Sequence, residues 1–128
     1  MTIHTFIHLK SKRAKAIALL DSGATENFMN LEYTKYLQLP IQRLKEPRKL
    51  YNVDSTPNQS GELQYFTDLQ VQTGTQQSTL QFFLSNLGEN KAILGYPWFA
   101  AFQPRIDWKR GWIDHGQLPI VLCALDAT

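Results

Sequence analysis

The sequence predicts a mainly β domain, either a small closed barrel or a sandwich, with one or two short helices. Short apolar runs and alternating polar and apolar runs recur along the chain, separated by turn-forming residues. Of the 128 residues, 43% are hydrophobic and 19% are charged, which is enough to bury one core without crosslinks. We therefore expect a single domain over residues 1–128.

The first third of the chain is predicted to hold two strands, a turn and a helix. The strands are expected over residues 2–9 and 15–20, where β-branched, aromatic or small apolar residues dominate. From Asp21 to Asn27 the chain consists mostly of turn formers. Asn30 offers an N-cap side chain for a helix over residues 31–37.

The rest of the chain is predicted to form strands around a second short helix. Strands over residues 48–53 and 62–73 are expected to form a long hairpin with a polar tip at Asp54–Gly61. Further strands are expected over residues 78–84, 92–95, 106–113 and 118–125. Pro97 is placed to begin a helix that ends before Pro104.

The composition argues against several classes of function. The 13 basic and 11 acidic residues leave a formal charge of +2, too small for a dedicated nucleic-acid surface. No apolar run approaches the roughly 20 residues that span a bilayer, and the first ten residues lack the apolar block of a signal peptide. We therefore expect neither nucleic acid nor membrane as a partner. Cys123 is the single cysteine, which excludes an intrachain disulfide and favours an intracellular location.

Few residues are arranged for catalysis. The three histidines and the cysteine lack the spacing of a metal site, so we expect no bound metal. Ser22 lacks the G-x-S-x-G setting of a serine hydrolase. Asp21 is the remaining candidate, because this carboxylate follows directly where an apolar strand breaks into a Ser-Gly turn.

The residues alone leave two other interpretations of Asp21 open. In the first, Asp21 begins an Asx-type turn and does nothing more. In the second, Asp21, Gly23 and Thr25 form the Asp-x-Gly-x-Thr phosphate-binding turn of actin-like sugar kinases. Such folds need two large α/β lobes, which a mainly β chain of 128 residues does not supply.

Three ordered segments carry a resemblance to a known family. Residues 16–29, Ala-Ile-Ala-Leu-Leu-Asp-Ser-Gly-Ala-Thr-Glu-Asn-Phe-Met, resemble the active-site segment of retropepsin-like aspartic proteases, in the variant found in gypsy-type LTR retrotransposons. Residues 92–99, Ala-Ile-Leu-Gly-Tyr-Pro-Trp-Phe, are similar to the family's hydrophobic-hydrophobic-glycine segment and the helix after it. Pro104–Trp108 resembles the strand that follows. The predicted hairpin over residues 48–73 lies where the family has its substrate-covering flap.

Two positions depart from the viral members of that family. Thr25 stands where those members usually have aspartate, and Tyr96 stands where they have arginine. The Asp–Arg ion pair that buttresses viral dimers is therefore absent. Gypsy-type members commonly lack it as well, which sharpens the resemblance. The expected flap tip, Asp54–Pro57, also lacks the usual glycines.

The resemblance implies a retropepsin-like closed β-barrel, one half of an acid protease, that forms a two-fold homodimer. The core is expected at about residues 3–114, with residues 115–128 serving as a dimer-interface strand or as a linker. We expect the terminal strands, over residues 2–9 and 118–125, to add cross-subunit sheet. Because one chain carries one Asp-Ser-Gly motif and suffices for one lobe, the resemblance implies activity only as a dimer.

The resemblance also implies an aspartic endopeptidase in which Asp21 is the catalytic residue of each copy and no cofactor takes part. Support for the active-site loop is expected from Ser22, Gly23, Ala24, Ile93, Leu94 and Gly95. Substrate contacts at the flap are expected from Asn52, Val53 and Asp54. The implied substrate is an extended segment of a Gag-Pol-type polyprotein, cleaved in the cytoplasm or within virus-like particles. The open alternative is a catalytically silent dimerisation or peptide-binding module.

Overall fold

The computed structural model describes residues 1–10, 12–51 and 57–125. These ranges hold ten strands, two α-helices and a 3₁₀ helix at His115–Gln117. The strands are β1 (Thr2–His8), β2 (Arg13–Leu20), β3 (Asn27–Asn30), β4 (Gln42–Tyr51), β5 (Pro57–Thr73), β6 (Gln76–Ser85), β7 (Ala92–Leu94), β8 (Ile106–Asp107), β9 (Trp112–Ile113) and β10 (Ile120–Ala124). The helices are α1 (Leu31–Tyr36) and α2 (Tyr96–Phe102).

Seven of the strands form a closed barrel, which confirms the predicted fold class. Their order is β10, β1, β2, β7, β3, β6 and β5, and β5 pairs with β10 to complete the circle. The pairs β1–β10, β2–β7 and β3–β6 are parallel, and the others are antiparallel. β8 and β9 form a separate two-stranded hairpin. Because the barrel is closed, each of its seven strands pairs with a strand on both sides. β7, for example, lies between β2 and β3.

β5 extends beyond the barrel wall and also pairs with β4. On the edge of β5 that β6 does not use, residues 69–73 pair with β10 and residues 57–66 pair with β4. β4 has no other strand neighbour among the described residues. We call β4 together with residues 57–66 of β5 the β4–β5 arm. Its strands are longer than predicted, since both extend into polar sequence.

The interior of the barrel is filled by side chains from alternate strand positions. Leu69 and Val71 of β5 and Ile120 and Leu122 of β10 are completely buried, as the two-residue period of a strand requires. Trp98 of α2 is buried with them, and its Nε1 donates a hydrogen bond to Oγ1 of Thr73 at 3.0 Å. Because the indole N–H has this partner, the large side chain can lie in the core without an unpaired donor.

The two helices begin where the sequence predicts them. Oδ1 of Asn30 accepts the backbone N–H of Tyr33 at 3.0 Å, so Asn30 caps α1. Pro97 lies in the first turn of α2, and Gln103, with a φ of 45°, ends that helix in the left-handed conformation. No helix in the described ranges has the length and apolar character needed to cross a membrane.

Two elements differ from the sequence-based prediction. β3 was not predicted: its first residue, Asn27, was assigned to the turn, its last, Asn30, to the helix cap, and the two apolar residues between them are too few to signal a strand. The strand predicted over residues 106–113 is a hairpin of β8 and β9. Oδ1 of Asp107 accepts the backbone N–H groups of Lys109 and Arg110 at 3.1 Å, and Gly111 has a φ of 70°. These turn signals outweigh the apolar residues on either side.

The terminal strands also differ from expectation. β1 pairs with β10 on one side and with β2 on the other, while β10 lies between β1 and β5. Neither strand therefore offers a free edge for cross-subunit sheet. The barrel core extends beyond the expected limit near residue 114 and includes residues 120–124, which were expected to form an interface strand or a linker. The apolar character of the tail reflects burial within its own chain.

Candidate active site

Asp21 lies at the end of β2, where the chain leaves the barrel wall. Its backbone N–H donates to the carbonyl of Leu94 in β7 at 3.0 Å. Its carboxylate oxygen Oδ1 accepts the backbone N–H of Gly23 at 3.0 Å and closes an Asx turn. Asp21 is exposed, so the carboxylate is oriented by the turn and still open to solvent. We call residues 21–27 the Asp21 loop.

The far side of the Asp21 loop is fixed to the junction of β7 and α2. The carbonyl of Ala24 accepts the backbone N–H of Tyr96 at 2.8 Å. Oδ1 of Asn27 accepts the backbone N–H of Gly95 at 2.9 Å. With the bond to Leu94 at its start, the loop is held at three consecutive residues of the neighbouring segment. These three bonds fix the loop on which the Asp21 carboxylate lies.

Gly95 is required by this close contact. A Cβ atom added to it would lie 2.1 Å from the carbonyl oxygen of Glu26 and 2.8 Å from that of Ala24. Both neighbours are backbone atoms of the Asp21 loop, so they could not yield without moving the loop. The absence of a side chain allows the two segments to approach each other, which is one of the regular uses of glycine.

Asn27 is the residue of this site that the sequence patterns did not single out. Its side chain is fully buried, and its Oδ1 satisfies the N–H of Gly95 inside the protein. Replacing the amide by an apolar group would leave that buried N–H without its acceptor. In sequence Asn27 is one turn former among several, and its only distinguishing sign is the apolar pair Phe28 and Met29 that follows it.

The structure brings together the loop residues and the supporting residues that the sequence predicts. These are Asp21, Ser22, Gly23 and Ala24 on one side and Ile93, Leu94 and Gly95 on the other. Ile93 pairs with Leu19 of β2 and with Phe28 of β3, so it connects the strands on both sides of the loop. Thr25 and Tyr96, which depart from the viral pattern, are exposed and uncharged.

The predicted substrate contacts are not part of this geometry. Asn52, Val53 and Asp54 lie outside the described residues. Within residues 1–10, 12–51 and 57–125, no group of three or more histidine, cysteine or acidic side chains is placed to hold a metal ion. Of the two carboxylates in the Asp21 loop, that of Asp21 is exposed, and that of Glu26 is half-buried and pairs with Arg48.

Comparison with known proteins agrees with the fold and the loop. Over 95% of this chain and 93% of the other, the structure is similar to the crystal structure of the retroviral protease-like domain of Ddi1 from Leishmania major, with a TM-score of 0.50 and 12% sequence identity. That likeness shows a shared retropepsin-like fold. The family model of the PEG10/RTL1 protease domain matches residues 17–118, which include the Asp21 loop and the β7–α2 junction. The chain therefore belongs to the PEG10/RTL1 protease domain family, a retrotransposon-derived group with the retropepsin-like fold.

Proposed function

We propose that this chain is an aspartic endopeptidase that works as a homodimer, with Asp21 of each copy as the catalytic residue. The observation that carries the proposal is the exposed Asp21 carboxylate, oriented by Gly23 on a loop bonded to Leu94, Gly95 and Tyr96. Membership of a protease domain family supports it. An Asx turn alone would not need a loop fastened on both sides.

Two copies are needed because one chain supplies one Asp-Ser-Gly carboxylate, that of Asp21. Peptide hydrolysis requires a base that activates water and an acid that protonates the leaving amine. If two-fold symmetry places two Asp21 side chains face to face, two negative charges at that distance repel each other, so the pair retains one proton. The same pair then holds both a base and an acid, as the paired carboxylates of aspartic proteases do in general.

Each Asp21 would have a distinct task during the reaction. The ionised carboxylate accepts a proton from a water molecule, whose oxygen attacks the carbonyl carbon of the scissile bond. The protonated partner donates its proton to the carbonyl oxygen, giving a neutral tetrahedral intermediate. When the C–N bond breaks, the amine takes one proton from the dyad and the hydroxyl group returns another. The dyad ends with the single proton with which it began.

The loop residues around Asp21 would hold this geometry rather than react. Ser22 is exposed beside Asp21 and would bond to the backbone of the other subunit. Gly23 fixes one carboxylate oxygen through its N–H. Ile93, Leu94 and Gly95 would act as the wall behind the loop.

The substrate would be an extended peptide that lies between this floor and the β4–β5 arm. Extended peptides bind through main-chain hydrogen bonds, with alternate side chains entering separate pockets. Asn52, Val53 and Asp54 remain our candidates for contacts at the flap. We propose a Gag-Pol-type polyprotein as the natural substrate.

The substitution Asp21→Asn tests the chemistry. The amide has nearly the same shape but cannot act as a base, so hydrolysis of a peptide library should fall at least about a hundredfold. Glu89→Gln, which removes one charge from an exposed turn, is the matched control and should retain full activity. Circular dichroism should show both variants folded. Asp21→Asn retaining more than about a hundredth of wild-type activity would disprove the assignment.

Concentration and pH test the pairing. Specific activity should fall on dilution as dimers dissociate, and the rate should have a bell-shaped pH profile with an acidic optimum. A monomer in sedimentation that cleaves at full specific activity would rule out the two-chain site. A wild-type chain that binds peptides without cleaving them at any pH would identify the alternative, a silent binding module.

A further inference from the structure

We propose that Arg48 is a positioning residue that ties the β4–β5 arm to the Asp21 loop. Nη2 of Arg48 lies 3.6 Å from Oε1 of Glu26, which belongs to that loop. The carbon of its guanidinium group lies 4.8 Å from the centre of the Phe83 ring, within the range of a cation–π contact. One side chain of the arm thus contacts both the loop and the barrel wall.

The two partners of Arg48 belong to fixed parts of the molecule. The Glu26 carbonyl packs against Gly95, and the next residue, Asn27, is buried and hydrogen bonded. Phe83 is 1% exposed, and it forms a tilted ring pair with Phe28 at 6.4 Å. Arg48 therefore contacts a side chain whose backbone is fixed, that of Glu26, and a buried ring, that of Phe83.

The strand that carries Arg48 is held much less firmly by its own backbone. Within the part of the chain that the structure describes, β4 pairs only with β5, and its register shifts between Arg43 and Arg48 and again between Lys49 and Tyr51. Arg48 itself pairs with Leu63, so it lies in the short regular stretch between the two irregularities. A side-chain contact at this point restrains a part of the arm that the ladder restrains weakly.

The chemistry of the contact requires arginine rather than any cation. A guanidinium group is planar, so its face can lie over an aromatic ring while a nitrogen at its edge forms an ion pair with a carboxylate. The side chain of Arg48 is 53% exposed and that of Glu26 is 31% exposed, so solvent screens their attraction. The contact therefore contributes to the placement of the arm more than to global stability.

The functional consequence rests on the proposed protease activity. An extended peptide would lie between the arm and the Asp21 loop, and the Arg48 contact sets the distance between them. Loosening the contact should weaken peptide binding and leave the chemical step intact once the peptide is bound. KM should then rise while kcat stays nearly constant.

The experiment compares Arg48→Ala with Arg43→Ala in the full chain. Both substitutions remove an exposed arginine from the same strand, and Arg43 pairs with Tyr65 away from the loop contact. For Arg48→Ala we expect hydrogen exchange of the β4 amides to accelerate about threefold to tenfold, which corresponds to a loss of about 0.7–1.4 kcal/mol. KM for a peptide substrate should rise over the same range, with kcat within about twofold. Arg43→Ala should change neither quantity.

Three further variants separate the parts of the contact. Glu26→Gln removes only the ion pair, so it should show part of the Arg48→Ala effect. Arg48→Met removes the guanidinium group and with it both contacts, but keeps an unbranched apolar stem, so it should show nearly the whole effect. Arg48→Lys restores a charge without the planar group and should recover β4 protection in part. If Arg48→Ala destabilises the whole chain, Glu26→Gln and Arg48→Met still decide the question.

The outcomes distinguish this inference from the proposed function. Equal β4 exchange in Arg48→Ala and Arg43→Ala would overturn the tie, whatever the activity. Faster β4 exchange in Arg48→Ala alone would support the tie even in a chain that cleaves no peptide, in which case the proposed function fails and the contact stands. A fall in kcat with unchanged KM would overturn the positioning role.

Discussion

The Asp21 loop and the β4–β5 arm are held in the protein by different kinds of contact. The loop is fixed by hydrogen bonds to the β7–α2 junction: the backbone N–H of Asp21 donates to the carbonyl of Leu94, and the backbone N–H of Gly95 donates to Oδ1 of the buried Asn27. The arm is held by an interrupted ladder along β5 and by the exposed contact of Arg48 with Glu26.

The two kinds of contact differ in how firmly they hold a segment in position. Interior backbone bonds are expensive to break, because each would leave an unpaired polar group out of reach of water. Exposed ion pairs exchange their partners for water at little cost. In the proposed dimer, a carboxylate that meets its symmetry mate would benefit from the first kind of support. A strand that admits a peptide, as we propose for β4, would be better served by the second kind.

The sequences of the two regions reflect these roles. The Asp21 loop uses small residues, which permit close approach between backbones. The segment that begins β4, Gln-Arg-Leu-Lys-Glu-Pro-Arg-Lys, is charged and contains Pro47. Pro47 lies between Arg43 and Arg48, where the register of β4 against β5 shifts. Proline in a sheet is confined to edges and bulges. Charges and proline along an edge also discourage pairing with other chains.

Deleting residues 118–128 should have the largest effect on stability, because it removes β10 from the closed barrel. Ile120, Val121 and Leu122 are buried, and each contributes about 1.5–3 kcal/mol to folding through burial. Their combined loss approaches the whole stability of a typical domain, about 5–15 kcal/mol. Circular dichroism and urea titration should show that the truncated chain does not fold cooperatively. A truncated chain that folds and is merely monomeric would restore the interpretation of this segment as an interface strand or linker.

Gly95→Ala should be the next most damaging change, because it separates the Asp21 loop from its support. The added Cβ would lie 2.1 Å from a backbone oxygen, so the loop must move, at a cost of about 2 kcal/mol or more. Gly88→Ala is the control, since its φ is 64° and nothing lies within 4 Å of the added atom. It should cost only about 1 kcal/mol, from backbone strain. Equal midpoints in urea for the two variants would contradict the account of a tightly packed loop.

Local signals in the sequence predicted the parts of this architecture that depend on local chemistry. Asp21 after an apolar strand, Asn30 as a cap and Pro97 at a helix start are each readable from their neighbours. The failures involve contacts between distant segments. The apolar run of β10 is compatible with an interface, a linker or a barrel strand, and only its pairing with β1 and β5 decides among them.

The candidate site shows the same limit. The resemblance brings Asp21 and Gly95 together, but no local pattern shows that Asn27 is buried beside Gly95. The contact between Arg48 and Glu26 depends on how the arm folds over the barrel, so neither residue has a signature in sequence. The charge run around Arg48 would ordinarily be a solvated edge, and most of it is exposed.

The reactivity of the Cys123 thiol tests, with a smaller expected effect, whether β10 is a strand of the barrel. Burial raises the pKa of this thiol, so less of it is thiolate near neutral pH than in an unfolded chain. Alkylation by iodoacetamide at pH 8 should therefore be several-fold slower in the native protein than in urea, with a rate that continues to rise toward higher pH. The measurement is a time course by mass spectrometry. Equal rates in the two states would place residue 123 in an exposed tail instead of a barrel strand.

Lys45→Ala should have the smallest effect on stability. A small effect is what we expect if the arm is held less firmly than the Asp21 loop. Lys45 is exposed on β4 and lies between the paired positions Arg43 and Arg48, where the ladder is interrupted. Surface substitutions away from caps, strained backbone and buried networks usually change stability by less than about 0.5 kcal/mol. The urea midpoint and the exchange of the Asp21 loop amides should therefore match those of the wild type. If Lys45→Ala instead destabilises the chain as much as Gly95→Ala, the arm is held as firmly as the loop, and its support cannot consist of an edge ladder and one exposed arginine.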